Sequence, residues 1–162
     1  MRETSGFTLM ELMIAVLIIG VLAAIGVPNY FKSVETRHAD AACELAVTIA
    51  AANQMYAAGH NGSYVAGQLS SACAGQGCGS GNACDLIACN YLPPQDFSDM
   101  AYNFTVNGSA GVSVTMNPTS VYYRGKYKGW GYNVSNVGYA TPQGGAPMPP
   151  EYRIGSRGSK MQ

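Results

Sequence analysis

Residues 6–28 read Gly6-Phe7-Thr8-Leu9-Met10-Glu11-Leu12-Met13-Ile14-Ala15-Val16-Leu17-Ile18-Ile19-Gly20-Val21-Leu22-Ala23-Ala24-Ile25-Gly26-Val27-Pro28. Of the 21 residues from Phe7 to Val27, all but Thr8, Glu11, Gly20 and Gly26 carry apolar side chains, which makes 17. At 1.5 Å per residue such a run spans about 31 Å as a helix, enough for the ~30 Å hydrocarbon layer of a bilayer. One carboxylate, Glu11, interrupts it near its start, where a few kcal/mol of desolvation cost in a spanning helix points to a function.

Past Pro28 the apolar pattern continues with a helical period. Phe31, Val34, His38, Ala42, Leu45, Ile49, Ala52 and Tyr56 recur at steps of three and four and define one stripe, with Lys32, Glu35, Asp40 and Thr48 outside it. Residues 7 to about 58 therefore read as one rod of about 78 Å, apolar all round in its first half and amphipathic in its second. Pro28 lies between the halves, where a missing N–H favours a kink. A secretory signal is the competing reading of the N-terminus, because Ala24-Ile25-Gly26 offers small residues at a cleavage site. The helical pattern runs on past that cut, and Glu3 offsets Arg2 ahead of the apolar run.

Gly6-Phe7-Thr8-Leu9-Met10-Glu11-Leu12, followed by an apolar run that ends Gly26-Val27-Pro28-Asn29-Tyr30, resembles the type IV pilin family, which includes the pseudopilins of type II secretion. The resemblance covers residues 1 to about 58. It implies that residues 1–6 are a leader removed by a prepilin peptidase after Gly6, and that the new N-terminal residue, Phe7, is methylated. It also implies that residues 7–28 serve as transmembrane and assembly helix, that 29–58 continue it amphipathically, and that Glu11 meets the N-terminal ammonium of the incoming subunit. The chain would then wait in the inner membrane until the pilus assembly machinery adds it to a helical homopolymer on the cell surface.

The remainder has a different composition. The chain has 162 residues, room for one globular unit, and a formal net charge of zero, which argues against a general nucleic-acid binder. Residues 59–99 lack a sustained period and hold Cys73, Cys78, Cys84 and Cys89 among glycines. That density behind a membrane segment suggests an oxidising compartment and two disulfides, nested or sequential. Zinc is the alternative, but the spacing lacks the close Cys-x2-Cys pairs of zinc ribbons. Cys43 is the unassigned fifth cysteine, about 160° from Leu45 at 100° per residue, and so faces away from the apolar stripe.

Residues 100–140 supply strands. Tyr102, Phe104 and Val106 alternate with Asn103 and Thr105, residues 107–111 turn the chain, and Val112, Val114 and Met116 alternate again. Val121 to Arg124 and Trp130 to Val134 read as two more strands, and the Pro- and Gly-rich residues 141–162 as an irregular tail. The expected fold is α+β, a long helix packed on a small antiparallel meander with a disulfide-bearing loop.

Chemistry is sparse. His38 and His60 sit on or at the end of the helix without a nucleophile motif, a phosphate loop or a metal-ligand pattern near them, so neither catalysis nor a cofactor nor a metal is expected. No aspartate follows Asp99, which favours a pilin over the pseudopilins with acidic calcium ligands near the sheet. Asn61, Asn103, Asn107 and Asn133 each open an Asn-x-Ser/Thr triplet, a chance pattern in a chain this rich in Asn and Ser. Arg124, Lys126, Lys128 and Trp130 form a basic and aromatic run that could hold single-stranded DNA, with a solvated hairpin as the plainer reading. The sequence thus points to a filament subunit, with a pseudopilin and a membrane-anchored or secreted disulfide-rich binding module as alternatives. Twitching, adhesion, DNA uptake and protein display are all compatible with it.

Overall fold

The structure is a computed structural model and describes residues 7–97, 100–120 and 127–147. Helix α1 (Leu9–Gly59) is followed by strand β1 (Gly67–Leu69), a 3-10 turn (Ser71–Cys73), the one-turn helix α2 (Asp85–Ala88), and strands β2 (Tyr102–Val106), β3 (Val112–Met116), β4 (Gly131–Val134) and β5 (Ala140–Gln143). The architecture is α+β. The chain divides into two compact units, residues 1–35 and 36–162, with α1 continuous through the boundary.

In the first unit α1 keeps helical geometry through Pro28. The Asn29 amide donates to the Ile25 carbonyl at 3.2 Å and Ser33 Oγ to the Asn29 carbonyl at 3.1 Å, so polar side chains just beyond the proline bond back onto the helix. In the second unit the five strands form one antiparallel sheet in the order β1-β2-β3-β4-β5. Alternation within β2 and β3 places Tyr102, Phe104, Val106, Val112, Val114 and Met116 on the buried face. It shares one core with the C-terminal part of α1, through Ala39, Ala42, Cys43, Ala46, Ile49, Ala50, Ala52 and Tyr56.

That contact keeps half of the expected stripe and shifts its centre. Ala42, Ile49, Ala52 and Tyr56 of the expected stripe are buried, and the buried face extends from them round the helix to Ala39, Cys43, Ala46, Ala50 and Asn53. Phe31 is exposed and Leu45 only partly buried, whereas Cys43 is fully buried. Size is complementary across this contact, small alanines on the helix facing bulky Tyr, Phe and Val on the sheet. At the centre of this face stands Asn53, fully buried, which donates to the Val65 carbonyl at 3.1 Å and accepts from the Val65 N–H at 3.0 Å. It presents a strand-like pair of groups to the segment entering β1.

The segment 59–99 is not a plain loop, for it contains β1, the 3-10 turn and α2. The tail expected from residue 141 begins as β5, and Pro142 is tolerated there because the strand is the outermost in the sheet order. The strand expected at 121–124 falls outside the described residues, and β4 follows at Gly131–Val134.

Candidate functional site

The first turn of α1 explains Glu11 locally. Thr8 precedes the helix, and Glu11 is its third residue. The carboxylate Oε2 accepts from the Thr8 N–H at 2.9 Å and from Thr8 Oγ1 at 2.8 Å, and the Glu11 N–H in turn donates to Thr8 Oγ1 at 3.3 Å. This is a reciprocal capping box, in which two backbone donors that a helix start leaves open are satisfied by side chains. The pattern Thr-x-x-Glu before an apolar run is its sequence signature, beyond the membrane argument for Glu11. Both bonds to the carboxylate use Oε2, and Oε1 has no hydrogen bond among the described residues.

Beyond this box every residue from Phe7 to Ser33 is exposed, Phe7 at 86% and Leu9 at 76%. The 18-residue window that qualifies α1 as a candidate membrane span has a mean hydropathy of 2.6 and none of it is buried. Such a surface is far larger than the apolar patches that monomeric soluble proteins expose, and it calls for lipid or other helices around it. Residues 1–27 match the prokaryotic N-terminal methylation motif. That motif is the prepilin leader of type IV pilins and pseudopilins, and it supports a type IV pilin-like or pseudopilin protein. Proteins that carry the motif are structural rather than enzymatic, and the prepilin leader implies processing by a prepilin peptidase and assembly into pilus-type filaments. No curated protein and no solved structure matches the chain.

The other cluster of chemically distinctive residues is the cysteine loop in the second unit. Cys73 pairs with Cys84 and Cys78 with Cys89, with Cα–Cα distances of 4.9 and 5.0 Å. The bridges interlock, which corrects the expected nested or sequential pairing and takes all four thiols away from the zinc alternative. Equal separations of 11 residues mean that segments 73–78 and 84–89 lie side by side in the same direction. The chain must circle back to achieve this, and Ala83 does so by donating to the Ala66 carbonyl at 3.0 Å beside a parallel bridge of Ala66 and Asn82.

Asp85 holds that circle closed. Its carboxylate is fully buried. Oδ1 accepts from the N–H groups of Gly79 at 3.2 Å and Ser80 at 3.0 Å and from Ser80 Oγ at 2.7 Å. Oδ2 accepts from the Gly81 N–H at 2.7 Å and the Tyr56 hydroxyl at 3.3 Å. Three successive backbone N–H groups converge on one anion, a nest that requires the positive φ of Gly79 (103°) and Gly81 (76°). No pattern in the sequence singles out Asp85 by itself. The sequence signal for it is the pair of glycines flanking Ser80, which supply the positive φ of the nest.

Tyr56 also stacks on His60, with centroids 3.8 Å apart and planes 2° apart, and meets the edge of Tyr91 at 5.5 Å. Helix α1 and the cysteine loop are thus joined through an aromatic stack ending in the Asp85 nest.

The basic and aromatic run divides. Lys128 is exposed, Arg124 and Lys126 lie outside the described residues, and Trp130 is buried with its ring against Tyr127 at 4.7 Å. A buried indole has no face to offer a base, so Trp130 is withdrawn from the nucleic-acid candidate. Cys43 stands outside both disulfides, in the helix–sheet core.

Removing the two bridges should have unequal effects. Each closes a short ring, for which loop entropy gives roughly 3 kcal/mol. Cys73 and Cys84 are buried, whereas Cys78 is exposed and Cys89 half-buried. The paired variant Cys73→Ala with Cys84→Ala is expected to lose about 3–4 kcal/mol, and Cys78→Ala with Cys89→Ala about 2–3 kcal/mol. Urea unfolding followed by circular dichroism checks the order, and equal midpoints would contradict it.

Proposed function

We propose that this chain is the structural subunit of an extracellular type IV pilus-like filament. The precursor is cut between Gly6 and Phe7, Phe7 is methylated, and residues 7–28 hold the chain in the inner membrane until it joins other copies. The observation that carries this reading is the methylation motif at the head of a helix whose membrane-length segment is wholly exposed in the single chain. Removing that segment from lipid requires an equally apolar environment, which a bundle of identical helices supplies.

Glu11 fits the same reading. Its capping bonds fix the carboxylate at the helix start through Oε2 and leave Oε1 to accept from the Phe7 ammonium of an incoming subunit. Pairing the two charges sets the axial register of helices whose apolar surfaces would otherwise slide, a contribution to specificity more than to stability.

Negative-stain microscopy of sheared surface fractions, with antibody against this chain, tests the proposal. Long labelled filaments are expected. Labelled filaments that appear only as short stubs on overexpression would assign the chain to the pseudopilins instead, and label confined to the membrane would leave an anchored binding module.

A further inference from the structure

The outward face of the sheet has a uniform chemistry. Where β1 to β5 alternate, the side chains turned away from the core include Gln68, Asn103, Thr105, Ser113, Thr115 and Asn133, and every outward side chain on the described strands is an amide or a hydroxyl. They are neighbours across the sheet, since Gln68 pairs with Thr105, Thr105 with Ser113, and Ser113 with Asn133. This continuous strip bears no charge.

At one end the strip deepens into an open groove of about 410 Å³ between two turns, lined by Asn107, Ser109, Gly111, Asn133, Asn136 and Tyr139 among others. Its walls are fixed. Asn107 N–H donates to the Gly111 carbonyl at 2.7 Å and Ala110 N–H to the Asn107 carbonyl at 3.1 Å, while Ser135 N–H donates to the Tyr139 carbonyl at 2.8 Å and Tyr139 N–H to Ser135 Oγ at 3.1 Å. Its floor is kept low by Gly111, where a Cβ would stand 3.3 Å from the Val134 carbonyl oxygen and 3.5 Å from the Asn107 amide nitrogen.

Inside this rigid frame the side-chain amides of Asn107, Asn133 and Asn136 and the hydroxyls of Ser109 and Tyr139 make no hydrogen bond among the described residues. Tyr139 is 65% exposed and presents its ring at the rim. An amide can donate to one hydroxyl and accept from its neighbour, which suits vicinal diols, and an exposed tyrosine offers a flat apolar face to the C–H side of a pyranose ring. Without a charge in the groove, phosphates, acidic peptides and cationic ligands have no counter-ion there. Preformed walls keep the ordering cost of a weak polar ligand small.

We infer that this groove and the strip leading from it form a binding surface for a neutral polysaccharide, with Tyr139 stacking on one sugar ring and Asn133 and Asn136 bonding its hydroxyls. The inference concerns the second unit and is independent of whether the chain polymerises.

The test uses the full chain in dodecylphosphocholine micelles, a detergent without a sugar headgroup, and saturation-transfer NMR from protein to sugar. The probes are cellotetraose, tetra-N-acetylchitotetraose and, as an anionic comparison, a heparin tetrasaccharide. Transfer is expected to at least one of the two neutral sugars at millimolar concentration and not to the anionic one. Tyr139→Ala should weaken that binding at least tenfold and Asn133→Ala about fivefold, with circular dichroism and both disulfides unchanged. Tyr139→Phe, which keeps the ring, should retain most of the affinity. Transfer to neither neutral sugar, stronger transfer to the heparin fragment, or affinity unchanged in a folded Tyr139→Ala protein would each overturn the inference.

Discussion

An Asp85→Asn protein, with both disulfides intact, is expected to lose about 3–5 kcal/mol of stability against urea. The carboxylate is buried and accepts five hydrogen bonds, three of them from successive backbone N–H groups. An amide can place its oxygen on only one side of the nest. With the oxygen toward Gly79 and Ser80, its NH2 group points at the Gly81 N–H, donor against donor, and a buried donor left unsatisfied costs about 1–3 kcal/mol. Asp85→Ala should be at least as destabilising, because three N–H groups then lose their acceptor at once. A loss below 1 kcal/mol in either variant would show that the disulfides alone hold the loop.

The same nest fixes the pH dependence. Burial, the largest single influence, would raise the Asp85 pKa, but the Ser80 hydroxyl and the N–H groups of Gly81, Ser80 and Gly79 together outweigh it and hold the carboxyl below its ordinary 3.8. A lowered folded-state pKa contributes stability that is present above the unfolded value near 4 and disappears as the pH falls through the folded value. Tyr56 behaves oppositely. Its burial first, and then the adjacent Asp85 charge, raise its phenol above 10.0, so its contribution is present below pH 10 and fades as the pH climbs through the raised value. Urea midpoints at descending pH should therefore fall below pH 4, and Asp85→Asn should flatten that limb.

Glu11→Leu is expected to abolish assembled filaments or reduce them at least tenfold, while leaving membrane insertion and the sheet domain intact. Leucine removes the acceptor for the incoming ammonium and one half of the capping box. Loss of the box alone accounts for about 1 kcal/mol at the helix start. Thr8→Val separates the two effects, since it breaks the Thr8 Oγ1 bonds and spares the charge. Filament yield in Thr8→Val is expected to fall far less than in Glu11→Leu. Equal losses in the two variants would mean that the carboxylate acts only as a cap, and normal filaments in Glu11→Leu would remove it from assembly altogether.

How much of this could be read from residues alone follows from the range of each signal. The long helix and the β2–β3 hairpin were legible because periodicity over many residues, or alternation around Asn107-Gly108, is local information. The buried face of α1 was legible in part, since Ala42, Ile49, Ala52 and Tyr56 are buried as their spacing indicates, whereas Phe31 stays exposed and the face widens to the small residues around Cys43. The interlocked bridges depend on a parallel return of the chain at Ala66 and Asn82, a tertiary fact that spacing does not encode. Strand β1 has three residues and β5 contains a proline, so neither carries a usable pattern. The capping box is local information, carried by Thr8 three residues before Glu11.

The central claim is that the exposed apolar helix at the N-terminus is kept as an assembly element rather than discarded as a signal. Intact mass of the chain extracted from cells tests it most directly. A mature protein that starts at Phe7, carries one added methyl group and lacks residues 1–6 is the predicted result. A chain starting at Val27, or one retaining Met1 to Gly6 in sheared extracellular material, would contradict the account.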